Sequence, residues 1–493
     1  MSIILERIVE SFQKSADKQK QSIYLKLYQL LKNGILNHDY PVGNYLPPTR
    51  TLAEQLKISR SSVNRSYELL SIEGYIISKP GAGYLILDFL KKSEIRKVNV
   101  SADNYAELSH EGQSFLANIN LINTTDDKSV AFRPGLPPLD IFPVNQWKNL
   151  SNLYWRHIKA STLSYYPSSG IDSLKKSLCS YLNISRNIKF DYHQIIIVSG
   201  SLQSLYLIGK VLINKGDAVY MENPTFPNVH TIFKSLNAKI EPLSIDDEGA
   251  MLPSTKRKNT PSPKLLHLTP SAHYPTGVPM SLKRRQEILE WASANKCFII
   301  ENDYEHEVIC RKKTVPSIFS LDTEDRTIYL GTFNRVLHPS IRLGYMIVPN
   351  HLMHAMQALQ KMSHRFISPS IQIVMNQFIE KKMLMNHVKN LQQVADQRKQ
   401  SFIAEFEQAF QGKLKISVSR SSELHLLIEL PEEVSESKYI SILQDHNIVV
   451  HPYSRCFISG EPKRGIILGY SSIRTPTMRK KVQLMADLFF EHF

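Results

Sequence analysis

Cysteine is scarce in this chain: 493 residues contain four, Cys179, Cys297, Cys310 and Cys456, far apart and with no CxxC pair. That spacing excludes a disulfide framework and a cysteine-based metal site, and it is the usage of a reducing compartment. No uncharged apolar stretch reaches membrane-spanning length. The start, Met1-Ser2-Ile3-Ile4-Leu5-Glu6-Arg7, has no apolar core of a signal peptide. Internal repeats and low-complexity tracts are also missing. These absences leave a cytoplasmic protein without a membrane partner as the expectation.

What is present is a 42% hydrophobic composition, enough for large buried cores, in a chain long enough for about three structural units. The formal net charge is +15. Residues 1–100 hold 15 Lys/Arg against 9 Asp/Glu, a net +6, and the other +9 is spread over the much longer remainder. Such a balance suits a polyanionic partner but does not locate it, and a solvated basic surface accounts for it equally well.

The first ninety residues read as a small helical module. Leu25, Leu27, Leu30 and Leu31 space a helix over Ile23–Ile35, with Gly34 near its end. Pro47-Pro48 block helix, and a new one starts at Thr49, expected as its N-cap, running through Leu52, Ala53 and Leu56. Ser59 caps a third helix that turns Val63, Tyr67, Leu69 and Leu70 inward, and Gly74 ends it. Two β-like runs, Tyr75–Ser78 and Tyr84–Leu87, flank Lys79-Pro80-Gly81-Ala82-Gly83. Three helices and a glycine-rich hairpin make a winged helix-turn-helix. Its third helix would expose Arg60, Ser61, Ser62, Asn64 and Arg65, hydrogen-bond formers with the reach for base edges and phosphates in a major groove. Arg50 at the start of the preceding helix and Lys79 on the wing are placed for the DNA backbone. On pattern alone, these side chains would equally make an ordinary polar face. Leu46-Pro47-Pro48-Thr49-Arg50-Thr51-Leu52-Ala53, Ser59-Arg60-Ser61-Ser62-Val63 and Gly81-Ala82-Gly83-Tyr84 resemble the motifs of GntR-type heads, in order and at that family's spacing. The resemblance covers about Tyr24–Leu87 and implies binding to double-stranded operator DNA.

Between 91 and 130 the periodicity fades, which reads as a linker with room for a helical insert around Tyr105–Leu116. Beyond it, strands are expected at Gln194–Val198, Ala218–Met221, Leu265–Leu268, Cys297–Glu301, Thr327–Leu330 and Tyr345–Val348. Helical stretches such as Ser204–Leu212 and Leu282–Ala294 separate several of them. The alternation predicts an α/β fold with a mostly parallel sheet, whose ligands bind beyond the carboxyl ends of the strands. Gly200-Ser201-Leu202-Gln203, Phe226, His273–Gly277, Asn302-Asp303-Tyr304 and Thr332–Arg335 fall there. From about Pro369 a long helix, Ile373 to Phe402, is followed by strand-like Leu424–Leu430 and Gly465–Gly469. His425 and His451 read as structural. Arg455 and Arg464 are candidate carboxylate contacts that the sequence does not separate.

The segment Tyr329-Leu330-Gly331-Thr332-Phe333-Asn334-Arg335, with Ile341-Arg342-Leu343-Gly344-Tyr345, resembles the fold-type I aminotransferases. With Phe132–Pro137, Glu222-Asn223-Pro224-Thr225-Phe226 and Thr269–Gly277, it makes the chain similar nearly end to end to MocR-type regulators, which join a GntR-type head to an aminotransferase-like body. The resemblance implies a head over 1–90, a linker over 91–130, a large domain over 131–368 and a small subdomain over 369–493. It also implies a pyridoxal phosphate site in which Ser201, Leu202, Thr332 and Arg342 hold the phosphate, Phe226 stacks on the ring and Tyr304 contacts its hydroxyl. Packing of the loops alone would keep the same residues. Asn334 replaces the family's serine, and two further departures fall on the groups that provide chemistry. Arg335 stands where a lysine forms the Schiff base, and a guanidinium is not a nucleophile at accessible pH. Asn302 stands where an aspartate faces the pyridine nitrogen, unless Asp303 takes that place. The expectation is a homodimeric transcription regulator whose body binds an effector, an amino acid or a vitamin B6-like molecule, without transamination, and holds pyridoxal phosphate non-covalently if it binds. An active aminotransferase using a displaced lysine, and a regulator with a ligand-free scaffold, are the alternatives.

Overall fold

Apolar residues at helical spacing build the amino-terminal core: Leu27, Leu31, Leu52, Val63, Tyr67 and Leu70 are all fully buried. The computed structural model describes residues 3–14, 22–88, 106–119, 131–253, 262–309, 315–417 and 424–493. They fall into two compact units, Met1–Glu107 and Leu108–Phe493. The first contains α1 (Ile3–Lys14), α2 (Ile23–Leu36), α3 (Thr49–Leu56) and α4 (Arg60–Ile72). β1 (Tyr45–Leu46), β2 (Ile76–Lys79) and β3 (Gly83–Ile86) form an antiparallel sheet in the order β1-β3-β2.

Three details differ from the sequence reading. α1 is an additional helix, packed through Ile4, Leu5 and Ile8. β1 adds a third strand to the hairpin. Thr49 is the first helical residue rather than the cap; Pro48, extended at φ −54° and ψ 139°, holds the cap position without a side-chain bond. The second proline already sets the turn into the helix, so no hydroxyl cap is required. Ser59 is an N-cap as expected, its Oγ accepting from Ser62 N at 3.2 Å. The wing turn places Pro80 and Gly81 at its centre, with Gly81 at φ +79° and Ala82 N donating to Lys79 O at 3.0 Å. Pro followed by a glycine with positive φ is the requirement of a type II turn.

The second unit contains an eight-stranded sheet in the order β4-β11-β10-β9-β8-β5-β6-β7. Its strands are β4 (Ile195–Val198), β5 (Ala218–Asn223), β6 (Lys239–Asp246), β7 (Gly249–Ala250), β8 (Pro263–Leu268), β9 (Phe298–Asn302), β10 (Thr327–Thr332) and β11 (Gly344–Ile347). The run from β10 to β6 is parallel, whereas β11 is antiparallel to both β10 and β4. β4 and β11 are buried throughout, as expected of strands covered on both faces. A second sheet, β12 (Lys415–Ser417), β13 (Leu426–Glu429), β14 (His451–Pro452) and β15 (Gly465–Leu468), is antiparallel in the order β12-β13-β15-β14. It shares a core with Phe402, Phe406, Phe410, Tyr439 and Phe489.

The expected long helix from Ile373 is instead two, Pro369–Glu380 and Met383–Phe410, broken where Lys382 takes the left-handed conformation at φ 59°. The break lets Val374, Met375 and Phe378 pack in the large-sheet core while Phe402–Phe410 enter the small-sheet core. Of the expected linker, only 106–119 lies among the described residues; it contains the helix His110–Asn118, capped by Ser109 Oγ.

Candidate ligand pocket and DNA-facing helix

Four strand ends converge on one cavity in the second unit. β4 ends at Val198, and Gly200, at φ +134°, turns the chain into the helix Ser201–Leu212. That helix start aims backbone N–H groups at the space beyond the sheet, a ready anion site. β8, β9 and β10 end beside it, bringing His267, the last residue but one of β8, and the terminal residues Asn302 and Thr332. The cavity, about 200 Å³, is lined by Gly200, Ser201, Leu202, Leu205, Phe226, Asn228, Val229, His267, Thr269, Tyr274, Asn302, Tyr304, Thr332, Asn334, Arg335 and Arg342. All eight pocket residues selected from the sequence meet here. Asn228, His267 and Thr269 were not selected, and Tyr274 was named only as part of the His273–Gly277 loop; the strand-end rule pointed to the segments after β5 and β8, but only pairing showed which side chains turn inward.

Asn302 and Asp303 are neighbours in sequence with opposite roles. Asn302, at the end of β9, lines the cavity; its Nδ2 donates to His267 Nε2 at 3.3 Å and its buried Oδ1 has no partner. Burial pushes His267 down to about 3, so its ring is neutral. Asp303 turns away from the cavity, accepting from Arg186 Nε at 2.8 Å and Tyr329 Oη at 2.8 Å. Burial would raise the Asp303 carboxyl, but Arg186 and its other partners outweigh it and hold it well below the usual carboxylate range. Asp303 therefore does not replace the missing aspartate. Tyr304 is buried, its hydroxyl donating to Ala272 O at 3.1 Å, and burial keeps it un-ionised. Phe226 meets Tyr274 edge-on at 4.9 Å between ring centroids.

Arg335 lies over the Tyr304 ring at 5.6 Å and against Gly135. A Cβ on Gly135 would fall 1.1 Å from Arg335 Nη1, and Gly135 has φ +75°, so a side chain there meets both a clash and backbone strain. Among the described residues, the cavity lining contains two guanidinium groups, no lysine and no carboxylate. His425 is fully buried, with Nε2 3.3 Å from Pro275 O, and Arg464 is engaged by Glu432 O.

Behind Thr269, Glu222 accepts from Thr269 N at 3.0 Å and Thr269 Oγ1 at 2.5 Å. Burial raises its carboxyl to about 7 against the opposing Thr269 bonds. Unfolded, a glutamate titrates near ~4.3, so between these values the folded chain holds the extra proton. The Glu222 contribution to stability is thus complete below about pH 4 and is lost as pH rises through about 7. Glu222→Gln is expected to flatten this slope, about 4 kcal/mol in all, in urea denaturation measured across that range. An unchanged slope would rule Glu222 out as its source.

In the first unit, Arg60, Ser61, Asn64 and Arg65 are exposed on α4, as are Arg50 on α3 and Lys79 on the wing. Ser62 is half-buried and its hydroxyl lies 2.8 Å from Ser59 Oγ, so its first task is the helix start. Arg65 stacks on Tyr24 at 4.4 Å, and Arg50 pairs with Glu54 at 3.2 Å.

With this geometry established, comparisons with known proteins place it. The profile of the family "Aminotransferase class I and II" matches residues 139–465, and that of "Bacterial regulatory proteins, gntR family" matches residues 23–86. The chain belongs to the class I and II aminotransferase family and carries a GntR-family helix-turn-helix module at its amino end. It is 28% identical over 467 residues, 95% of this chain and 94% of the relative, to the probable rhizopine catabolism regulatory protein MocR of Rhizobium meliloti. It is also 28% identical over 327 residues, 66% of this chain and 64% of the relative, to the pyridoxine biosynthesis transcriptional regulator PdxR of Corynebacterium glutamicum. Its fold is that of the multiple substrate aminotransferase of Thermococcus profundus, with TM-score 0.69, 22% identity, and coverage of 80% of this chain and 99% of that one.

The fold family implies pyridoxal phosphate. The donors at Ser201 and Arg342, the aromatic Phe226 and the unpartnered Asn302 Oδ1 fit its phosphate and ring. A covalent link does not fit, because no lysine lines the cavity among the described residues.

Proposed function

We propose that this chain is a DNA-binding transcription regulator whose aminotransferase-like body senses a small-molecule effector instead of transforming it. The observation that carries this reading is the pairing of a GntR-family module with an aminotransferase cavity that has Arg335 and, among the described residues, no lysine in its lining. When bound, pyridoxal phosphate supplies an electron-accepting ring. Here the surrounding groups would only hold such a ligand: Ser201, Thr332 and Arg342 at its anionic end, Phe226 against the ring, and Asn302 as a neutral amide that cannot keep a ring nitrogen charged. The effector, an amino acid or a vitamin B6-like molecule, would act by favouring one arrangement of the dimer over another. Such a regulator works where the chromosome is, in the cytoplasm; among the described residues, no helix is long and apolar enough to cross a membrane.

DNA contacts are assigned to Arg50, Arg60, Ser61, Ser62, Asn64, Arg65 and Lys79. Arg60→Ala is expected to weaken operator binding by about 1–3 kcal/mol, as for loss of a bidentate base contact. Lys79→Ala should instead weaken all sequences alike and reduce the salt slope by about one unit. Fluorescence anisotropy on operator and random duplexes across salt concentrations separates the two. Equal affinity of the parent for both duplexes would sink the regulator reading.

The working unit is taken to be a homodimer formed through the body, which also supplies two heads for paired half-sites. Leu163, Tyr165 and Met362 are large side chains exposed at 66%, 72% and 79%, and they are the candidates for burial against a partner subunit. Sedimentation is expected to give a dimer at micromolar concentration, and Tyr165→Asp with Met362→Asp to shift it toward monomer.

A further inference from the structure

Arg335 and Arg342 share one cavity, and neither side chain makes a hydrogen bond or ion pair with a described residue. The described lining offers no carboxylate to answer them. Arg342 is exposed and Arg335 half-buried, so it is the Arg335 charge, with the Tyr304 ring beside it, that is held partly away from water and would gain most from an anion. A third group sets a different requirement: Asn302, 7% exposed, lines the cavity and has a buried Oδ1 without a partner, an acceptor that calls for a hydrogen-bond donor on the ligand.

We infer that the pocket takes, without a covalent bond, a flat aromatic ligand bearing two anionic groups, a phosphate ester at Ser201 and Arg342 and a carboxylate at Arg335. The inference rests on the reading of the body as a ligand sensor and names the chemistry of its ligand. A guanidinium presents parallel N–H donors that match a carboxylate in bidentate fashion, whereas a neutral alcohol or aldehyde uses at most part of that fork. The Tyr304 ring under Arg335 and the open Cα face of Gly135 fix where the guanidinium lies. Phe226 and Tyr274 supply aromatic surface for the body of the ligand. The residue that replaces the lysine thus does not merely remove a bond; it selects a different functional group on the ligand, an acid in place of a carbonyl.

The test uses the full chain and two probes that differ in one group, the phosphate ester of pyridoxic acid, which carries a ring carboxylate, and pyridoxine phosphate, which carries an alcohol there. Isothermal titration calorimetry is expected to show the acid binding about 10- to 100-fold more tightly, as for one charge-assisted bidentate pair. Arg335→Gln should bring the ratio of the two affinities to near one, the acid losing far more than pyridoxine phosphate. Equal affinities in the parent, or a preference that survives Arg335→Gln, would overturn the inference and leave the sensor reading standing. If neither probe binds a parent protein that still binds DNA, the inference fails and the sensor reading is left with an amino acid as its effector. The parent's ratio alone decides the matter if the variant does not fold.

Discussion

Arg335→Lys combined with Asn302→Asp is expected to turn a reversible pocket into one that holds pyridoxal phosphate covalently. The purified double variant should carry a visible absorbance band that the parent lacks, and borohydride should fix the cofactor on residue 335. The two changes act separately. Lysine supplies an amine that can bond to a carbonyl, and aspartate supplies the charge that keeps a ring nitrogen protonated. Ser201, Phe226, Thr332 and Arg342 remain in the lining to receive the rest of the molecule. Arg335→Lys alone should give the band with an altered position or stability, and Asn302→Asp alone should give none. Peptide mass analysis of the borohydride-treated parent should find no adduct on this loop. An adduct on any lysine of the parent would revive the enzymatic alternative. A double variant that binds no cofactor would mean that the pocket has diverged at more than these two positions.

Arg186→Met is expected to cost about 3–5 kcal/mol, because it leaves buried carboxylates without their counter-charge. Arg186 donates to Asp303 at 2.8 Å, to Ser271 Oγ at 2.9 Å and to Val315 O at 2.9 Å, and lies 3.9 Å from Glu301. Asp303 titrates well below its ordinary range in the folded chain, so its stabilisation is present above about pH 4 and is lost as pH falls through the folded value. In the variant, that carboxyl would instead take up a proton. The deficit relative to the parent should therefore shrink toward low pH in chemical denaturation. A deficit below about 1 kcal/mol at neutral pH would show that the network is not a keystone of the sheet. The same network explains why Asp303 does not serve the cavity: its Oδ2 accepts from both Arg186 and Tyr329, and the residue is not part of the cavity lining.

Much of this was legible in local sequence because the signals are local. Ser59 caps α4 through its own side chain three residues from the N–H it satisfies. Pro80-Gly81 sets the wing turn by the φ values those two residues favour. The helix Leu282–Ala294 ends where its periodicity ends. The identity of residue 335, an arginine, is likewise read directly from the sequence, whatever the fold around it. Other features depended on partners far along the chain. β4 and β11 are buried on both faces and carry no alternation, so their antiparallel pairing could be set only by where β10 and the preceding loops place them. The apolar spacing from Ile373 to Phe402 continues through the break at Lys382, because periodicity reports which side is buried and not whether the backbone stays helical. Whether Asn302 or Asp303 faces the cavity was decided by Arg186, 117 residues away from Asp303, whose charge claims the carboxylate and leaves the amide to the pocket. The meeting of Arg335 with Arg342 in one cavity is of the same kind: the sequence names both cations, and only the packed sheet shows that no described carboxylate in the lining stands between them.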